Sequence, residues 1–291
     1  MGLSEREKKI VDRTTSPVSS LEIKPKLTLR ISLSFHAKTH DPLGLVLPTR
    51  MLGHLLFRET LQILKKERKG KIPWDEWVRY SEMLLQLGNV RFRRSIKPDN
   101  SDPDIDPLLV TFNDGNPNAF GAVAYALWTL MDGSKVATLV MSKAKLAPLL
   151  QKGETVRNEL SSATFAARLK AWIYEYSGMK FADHIPFLDS QIVQAMICKA
   201  SYGFNTFAGL RVGEIQQKTD MSAWRHIPSK ENISDILTRG ASPSLLGPAS
   251  IWQTGPQWLI KDVSEWPVTD VKMDNASIGE IKKVVCEKSV R

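Results

Sequence analysis

The spacing of hydrophobic positions changes near residue 107 and divides the chain into two parts of different character. Between residues 49 and 66, apolar side chains recur at the three- and four-residue spacing of a helix. A second helical stretch begins after Pro73 and ends near Gly88, since proline favours the first helical turn and glycine a helix C-terminus. The pattern therefore predicts a small, mainly helical region before residue 108.

From residue 108 onward, short apolar runs separated by turn residues predict strands. Three such runs follow one another, and the Asp132-Gly133 pair between the second and the third favours a hairpin. A helical stretch from Arg157 to Tyr176 comes next, and two further strand-helix units complete the order. This order predicts an α/β fold.

Composition divides the 291 residues into four segments. We predict a loosely ordered polar leader over 1–26, the helical region over 27–107, the α/β domain over 108–240, and a linker with a polar tail over 241–291. The formal net charge is +9, and most of the Lys and Arg excess lies before residue 108. The densest basic runs therefore precede the α/β domain.

Cysteine usage and hydropathy indicate the class of protein. The two cysteines, Cys198 and Cys286, exclude a disulfide framework and a zinc cluster, and ordinary burial habits predict a buried Cys198. No apolar run reaches the ~20 residues of a membrane helix. We expect a soluble protein of a reducing compartment that does not contact a membrane.

Four acidic residues stand where predicted strands end or predicted helices begin: Asp114, Glu159, Asp189 and Asp235. Each alone is typical of a turn, a helix cap or a helix face. A mixed sheet could bring all four together, and such a cluster would repel itself unless divalent cations were bound. Two ions about 4 Å apart would make a phosphoryl-transfer site.

Several motifs surround these acids: DPLGL (41–45), FNDGN with AFGAVAY (112–125), MSKAKLAP (141–148), RNEL (157–160), LDSQIV (188–193), RVGEIQ (211–216) and WRHIPSKENISDILTRG (224–240). Together they resemble the ribonuclease H part of Bel/Pao-type retrotransposon polyproteins, the segment also labelled Pao retrotransposon peptidase. The resemblance implies a five-stranded mixed sheet of ribonuclease H type with flanking helices. It also implies that the helical region is the tail and connection of a reverse transcriptase and that residues 241–291 lead toward an integrase.

The same resemblance implies a function and a set of ligands. It assigns Asp114, Glu159, Asp189 and Asp235 as catalytic residues and as ligands of two Mg²⁺ ions, for which Mn²⁺ can substitute. Asp114 would bridge both ions, with Glu159 and Asp189 on one side and Asp235 on the other. The implied reaction is cleavage of the RNA strand of an RNA/DNA hybrid during reverse transcription. The implied partners are the hybrid and the reverse transcriptase palm and integrase of the polyprotein, in cytoplasmic virus-like particles that lead to DNA integration.

Two further groups of residues are candidates. His226 and Lys230 are possible auxiliary residues, because several ribonucleases H carry a mobile histidine ahead of the last acid; a structural strand histidine is the alternative for His226. Two basic runs are candidates for phosphate binding, with plain solvated faces as the alternative. Their members are Lys65, Lys66, Arg68, Lys69, Lys71, Arg91, Arg93 and Arg94.

Two other functions remain open. An aspartic peptidase of the Pao type would need Asp followed by Ser or Thr and then Gly, whereas the chain has Asp-Gly-Asn at 114–116 and Asp-Gly-Ser at 132–134. A catalytically idle, domesticated nucleic-acid-binding module is the other alternative, and the presence of all four acids argues against it.

Overall fold

The computed structural model describes residues 29–66, 72–149 and 155–270. The leader predicted for residues 1–26, the basic residues Arg68, Lys69 and Lys71, and the tail from residue 271 with Cys286 lie outside these ranges.

A five-stranded mixed sheet forms the centre of the fold, in the order β3-β2-β1-β4-β5. Strands β1 to β3 pair antiparallel, while β4 and β5 run parallel to β1. The predicted hairpin is confirmed, with Gly133 at positive φ in its turn. The strands are β1 Leu108–Gly115, β2 Ala119–Thr129, β3 Lys135–Leu146, β4 Asp183–Leu188 and β5 Arg225–His226. This is the predicted α/β sheet.

Helices precede the sheet and connect its strands, as the sequence predicts. The first three helices form the small helical region. The α-helices of the described ranges are α1 Leu29–Lys38, α2 Leu47–Lys66, α3 Trp74–Gln86, α4 Thr155–Tyr176, α5 Gln191–Ile197, α6 Thr206–Lys218, α7 Ser234–Arg239 and α8 Ile251–Thr254. Among the residues described, no helix is long and apolar enough to cross a membrane.

Both faces of the sheet are buried, because alternate residues of a strand point to opposite sides. On one face, Leu109 and the even-numbered alanines of β2 pack against α4 and α6. On the other face, Phe112 and Tyr125 pack against α2, α3 and the chain after residue 240. Burial on both sides explains why β1 and β2 read as nearly continuous apolar runs.

The segment 241–270, part of the predicted linker, belongs to this second core. Leu246, Trp252, Leu259 and Trp266 are all buried there. The Tyr125 hydroxyl donates to the Trp252 carbonyl at 2.8 Å. The composition of this segment does not predict its burial, because a few large aromatic residues supply the buried area among many polar ones.

The prediction of a buried Cys198 is wrong, because this thiol is exposed. Cys198 is the residue that follows the last turn of α5, where the chain leaves the core. The apolar face of that helix is instead buried through Val193, Met196 and Ile197. Position in the helix overrides the general preference of cysteine for the interior.

Candidate active site

A glycine next to Asp114 allows α4 to approach the end of β1. A Cβ atom at Gly115 would lie 2.4 Å from the backbone of both Asn158 and Glu159. The side-chain amide of Asn158 stabilises this close approach by donating from Nδ2 to the Asn116 carbonyl at 2.9 Å. Glu159 is thereby placed beside the strand end that carries Asp114.

Replacing Gly115 by alanine should therefore destabilise the protein by about 1–3 kcal/mol, because the added methyl group meets backbone that cannot rotate away. Gly88→Ala is the matched control, since a Cβ atom there meets nothing within 4 Å. Urea unfolding of both variants measures the difference, and the control should stay within about 0.5 kcal/mol of wild type. Equal stability of the two variants would contradict the close approach of α4.

A second glycine lets α7 approach Asp114 from another side. Gly121 pairs with Asp114 across the β1-β2 ladder, and a Cβ atom there would lie 2.9 Å from Leu237 of α7. Thr238 of the same helix donates its hydroxyl to the Asp114 carboxylate. Asp235 lies in the first turn of this helix, and its charge acts on Asp114.

Parallel pairing places Asp189 beside Asp114. Phe112 of β1 is the register partner of Phe187 of β4, and each acid follows its phenylalanine by two residues. Ser190 caps α5 by accepting a hydrogen bond from the amide of Val193 at 3.4 Å. Its hydroxyl donates to Glu159 Oε2 at 2.5 Å. Ser190 therefore links the Asp189 corner to Glu159.

The carboxylates act on one another electrostatically. Burial raises the pKa of Asp114 to about 6, with further increases from Asp189 and Asp235, while the hydrogen bond from Thr238 opposes the shift. Burial also raises the pKa of Glu159, with Asp189 and Asp114 adding to it against the hydrogen bond from Ser190. The fold thus brings Glu159, Asp189 and Asp235, which follow Asp114 by up to 121 residues (235 − 114) in sequence, close enough to Asp114 for their charges to repel.

Three of the four carboxylates nevertheless have partners within the protein. Besides the contacts of Ser190 and Thr238, Arg239 Nε lies 2.5 Å from Asp235 Oδ1. Within residues 29–66, 72–149 and 155–270, no group of three or more His, Cys, Asp or Glu side chains forms a ready-made metal site. The donor set fits a hard divalent cation, because such an ion relieves repulsion among buried carboxylates. A bound ion would compete with these contacts, each of which occupies one oxygen of its carboxylate.

The two candidate auxiliary residues occupy different settings. His226 lies in β5 and is buried, with Nε2 3.1 Å from the Asp189 carbonyl oxygen and Nδ1 2.5 Å from Thr269 Oγ1. Lys230 is exposed in the turn Ser229–Glu231. His226 is thus a strand residue with both ring nitrogens engaged, in line with the structural alternative for this position.

Lys65 and Lys66 are exposed at the C-terminal end of α2. Two turns earlier, Arg58 donates to Asn118 and to the Ala147 carbonyl, both at 3.0 Å. Those groups stand at the end of the sheet that carries Asp114. The two lysines lie roughly 10 Å further along the helix axis, at 1.5 Å per residue.

Arg91, Arg93 and Arg94 are exposed in the irregular segment after α3. This segment is fixed to the opposite end of the sheet, since the Ile96 carbonyl accepts from Thr138, whose partner in β2 is Ala126. Ala126 is five residues from Gly121, the partner of Asp114, or roughly 16 Å along the strand. Arg91, Arg93 and Arg94 therefore lie toward the end of the sheet opposite to Asp114.

The sequence did not predict a cation-aromatic cluster that joins α6 to α4, the helix that carries Glu159. Arg211 of α6 lies 3.6 Å above the ring of Phe207, and Arg157 of α4 lies 5.0 Å from it. Arg211 Nε also donates to Ser161 of α4 at 3.2 Å. The spacing of Phe207 and Arg211 by four residues could have paired them, but nothing local connects them to α4.

Thr238 and Arg239 also escaped the sequence analysis. They follow Asp235 by three and four residues, so in a helix over 234–239 they lie on the same face as Asp235. That spacing is a signal the sequence does contain.

Comparison with protein families identifies the chain. A family model described as the Pao retrotransposon-like RNaseH-like domain matches residues 28–190, which is more than half of the chain. The chain belongs to this family. The matched range of the Pao retrotransposon-like family includes Asp114, Glu159 and Asp189, while Asp235 lies beyond it.

The chain was also compared with solved structures and with curated protein sequences. Among solved structures, the chain is similar to ribonuclease H1 from the halophilic archaeon Halobacterium salinarum, with 15% sequence identity and a TM-score of 0.22. That similarity covers 43% of this chain and 87% of the archaeal one. Comparison with curated protein sequences finds no match.

Proposed function

We propose that this protein is a retroelement ribonuclease H, which hydrolyses the RNA strand of RNA/DNA hybrids with the help of two Mg²⁺ ions. The observation that carries the proposal is geometric: strand register brings Asp189, and the close approach of α4 and α7 brings Glu159 and Asp235, to the end of the sheet that carries Asp114. Membership of the Pao retrotransposon-like family supports it. We further propose that the chain works beside the reverse transcriptase and integrase of a polyprotein, in cytoplasmic particles.

Each acid has a role in this proposal. Asp114, whose backbone lies in the β-ladder of the central strand β1, would contact both ions. Glu159 and Asp189 would hold one ion and Asp235 the other, with Arg239 giving up its contact to Asp235. When bound, the two ions would neutralise the scissile phosphate, activate a water molecule and stabilise the leaving oxygen.

The Arg157–Phe207–Arg211 cluster would hold the substrate next to these acids. Guanidinium groups bind phosphate oxygens with directed hydrogen bonds. The cluster includes Arg157 of α4, the helix that carries Glu159, and Arg211 donates to Ser161 of that helix at 3.2 Å. We propose that it contacts a phosphate near the cleavage point, while the 2′-hydroxyls of the RNA strand provide the preference for RNA.

A single assay tests the proposed function. The purified protein is incubated in Mg²⁺ or Mn²⁺ with a labelled RNA/DNA hybrid, with single-stranded RNA and with casein. Cleavage of the hybrid alone, leaving 3′-hydroxyl and 5′-phosphate ends, is the expected result. Cleavage of casein would instead support the Pao-type peptidase.

One observation favours a second candidate, a module that binds hybrid without cutting it. The partners of three carboxylates, namely Ser190, Thr238 and Arg239, would keep the site closed to metal if they did not exchange. In that case the hybrid would bind with equal affinity in EDTA and in Mg²⁺ and would remain intact.

The exposed arginines after α3 provide a separate prediction. If Arg91, Arg93 and Arg94 contact phosphates, replacing all three by glutamine should reduce the salt dependence of hybrid binding by roughly 2–3 units of slope, for every hybrid sequence alike. Their distance from the acids should leave the cleavage position unchanged. Fluorescence anisotropy at several salt concentrations measures the slope, and an unchanged slope would indicate a plain solvated surface.

A further inference from the structure

Residues 266–270 lie against the edge strand that carries His226. Thr269 forms a β-bridge with His226, and its amide donates to the His226 carbonyl at 2.9 Å. Its hydroxyl lies 2.5 Å from Nδ1 of the same histidine. The strap, as we call residues 266–270, therefore touches His226 through both backbone and side chain.

The hydrogen bonds fix the direction of the imidazole ring. Nε2 faces the Asp189 carbonyl oxygen, which only accepts, so Nε2 must carry a proton and donate. In the neutral ring, Nδ1 is then an acceptor and receives the Thr269 hydroxyl. Removing that hydroxyl would leave a buried ring nitrogen without its partner and free the ring to turn.

The His226 ring holds the turn that connects β4 to α5, which we call the corner. Leu188 is the register partner of His226, and the Leu188 carbonyl accepts from the amide of Ile227 at 2.9 Å. The Asp189 carbonyl, one residue later, is the last backbone group of this corner held by β5. The next residue, Ser190, donates its hydroxyl to Glu159 Oε2 at 2.5 Å. A continuous series of hydrogen bonds and chain connections thus joins Thr269 to two of the four acids.

We propose that His226 is a positioning residue, which transmits the position of the strap to Asp189 and, through Ser190, to Glu159. It fixes the backbone from which the Asp189 carboxylate projects and does not itself contact the substrate. The inference rests on the proposed function, since positioning of these acids matters for divalent-cation binding. It gives the segment 266–270, outside the ribonuclease H-like sheet, a role in the active site.

The test compares three substitutions that differ by a few atoms. Thr269→Val removes the hydroxyl and keeps the shape, and Thr269→Ser keeps the hydroxyl. Thr254→Val removes a hydroxyl elsewhere that donates only to the nearby carbonyls of Ser250 and Gly255. Amide hydrogen exchange of residues 186–193 in metal-free protein reports on the corner itself. Calorimetric titration with Mn²⁺ reports on the acids.

In Thr269→Val, we expect faster exchange of residues 186–193 and about tenfold weaker Mn²⁺ binding, the size of effect typical of groups that orient metal ligands. Thr269→Ser and Thr254→Val should behave as wild type in both measurements. A lower melting temperature of Thr269→Val with unchanged Mn²⁺ affinity would make the contact merely structural and overturn the inference. Failure of the wild-type protein to bind Mn²⁺ would instead overturn the proposed function and this inference with it.

Discussion

Replacing Asp189 by asparagine should reduce hybrid cleavage at least about a hundredfold, which corresponds to about 2.7 kcal/mol of transition-state stabilisation. An amide oxygen cannot supply the negative charge that holds a divalent cation in place. The free energy of unfolding should change by less than about 1 kcal/mol, because Ser190 and not Asp189 caps α5. Loss of the Asp189 charge also relieves the repulsion felt by Asp114 and Glu159.

Asp132→Asn is the matched control for this substitution. Asp132 sits at the exposed tip of the β2-β3 hairpin, where its Oδ1 accepts from Ser134, as an asparagine oxygen can. Hybrid cleavage, cleavage of casein and urea unfolding should all match wild type. If Asp189→Asn unfolds while its folded fraction cuts hybrid at the wild-type rate, then Asp189 is structural and the four-acid site is incorrect.

Asp114→Asn should have opposite effects on activity and stability. It should abolish cleavage, because Asp114 is the acid proposed to contact both ions. In EDTA at pH 7.5, however, the variant should be more stable than wild type by roughly 2 kcal/mol, since burial and two neighbouring carboxylates raise the pKa of Asp114 to about 6. Asparagine can still accept the hydrogen bond from Thr238.

The pH dependence of this effect has a definite sign. The folded-state pKa of Asp114 lies above its usual value of 3.8, so the folded protein holds the proton more tightly than the unfolded chain. This contribution to stability is present below about pH 4 and is lost as the pH rises through about 6. Urea unfolding at pH 4 and at pH 7.5 should therefore show the two proteins converging at the lower pH. Parallel pH profiles would contradict a raised pKa at Asp114.

Local sequence patterns predict the strands and helices well, because period and turn chemistry are properties of neighbouring residues. The Asp132-Gly133 turn and the Ser190 cap are both of this kind. The four acids could be selected because their motifs resemble a known family, yet the long-range partners Thr238 of Asp114 and Ser190 of Glu159 could not. Thr238 meets Asp114 across 124 residues, and the contact depends on the close approach allowed by Gly121.

The settings of His226 and of residues 241–270 depend on contacts that no local pattern encodes. His226 fits a mobile catalytic histidine by its position in the sequence, whereas its bonds to Thr269 and to the Asp189 carbonyl come from strand pairing. Segment 241–270 is polar on average, so its composition does not reveal the few aromatic residues that enter the core. In both cases the tertiary contact outweighs the local signal.

The residues after 240 pack on the sheet face that carries Phe112, and this packing limits where the chain can be shortened. Phe112 stacks on Phe187 with ring centroids 5.1 Å apart, and Trp258 meets both rings edge-on. A recombinant fragment that stops at residue 240 would expose this aromatic group to water as an apolar patch that favours self-association. Fragments intended for crystallisation or enzymology should accordingly extend through residue 270 and begin before α2, so that the aromatic face stays buried.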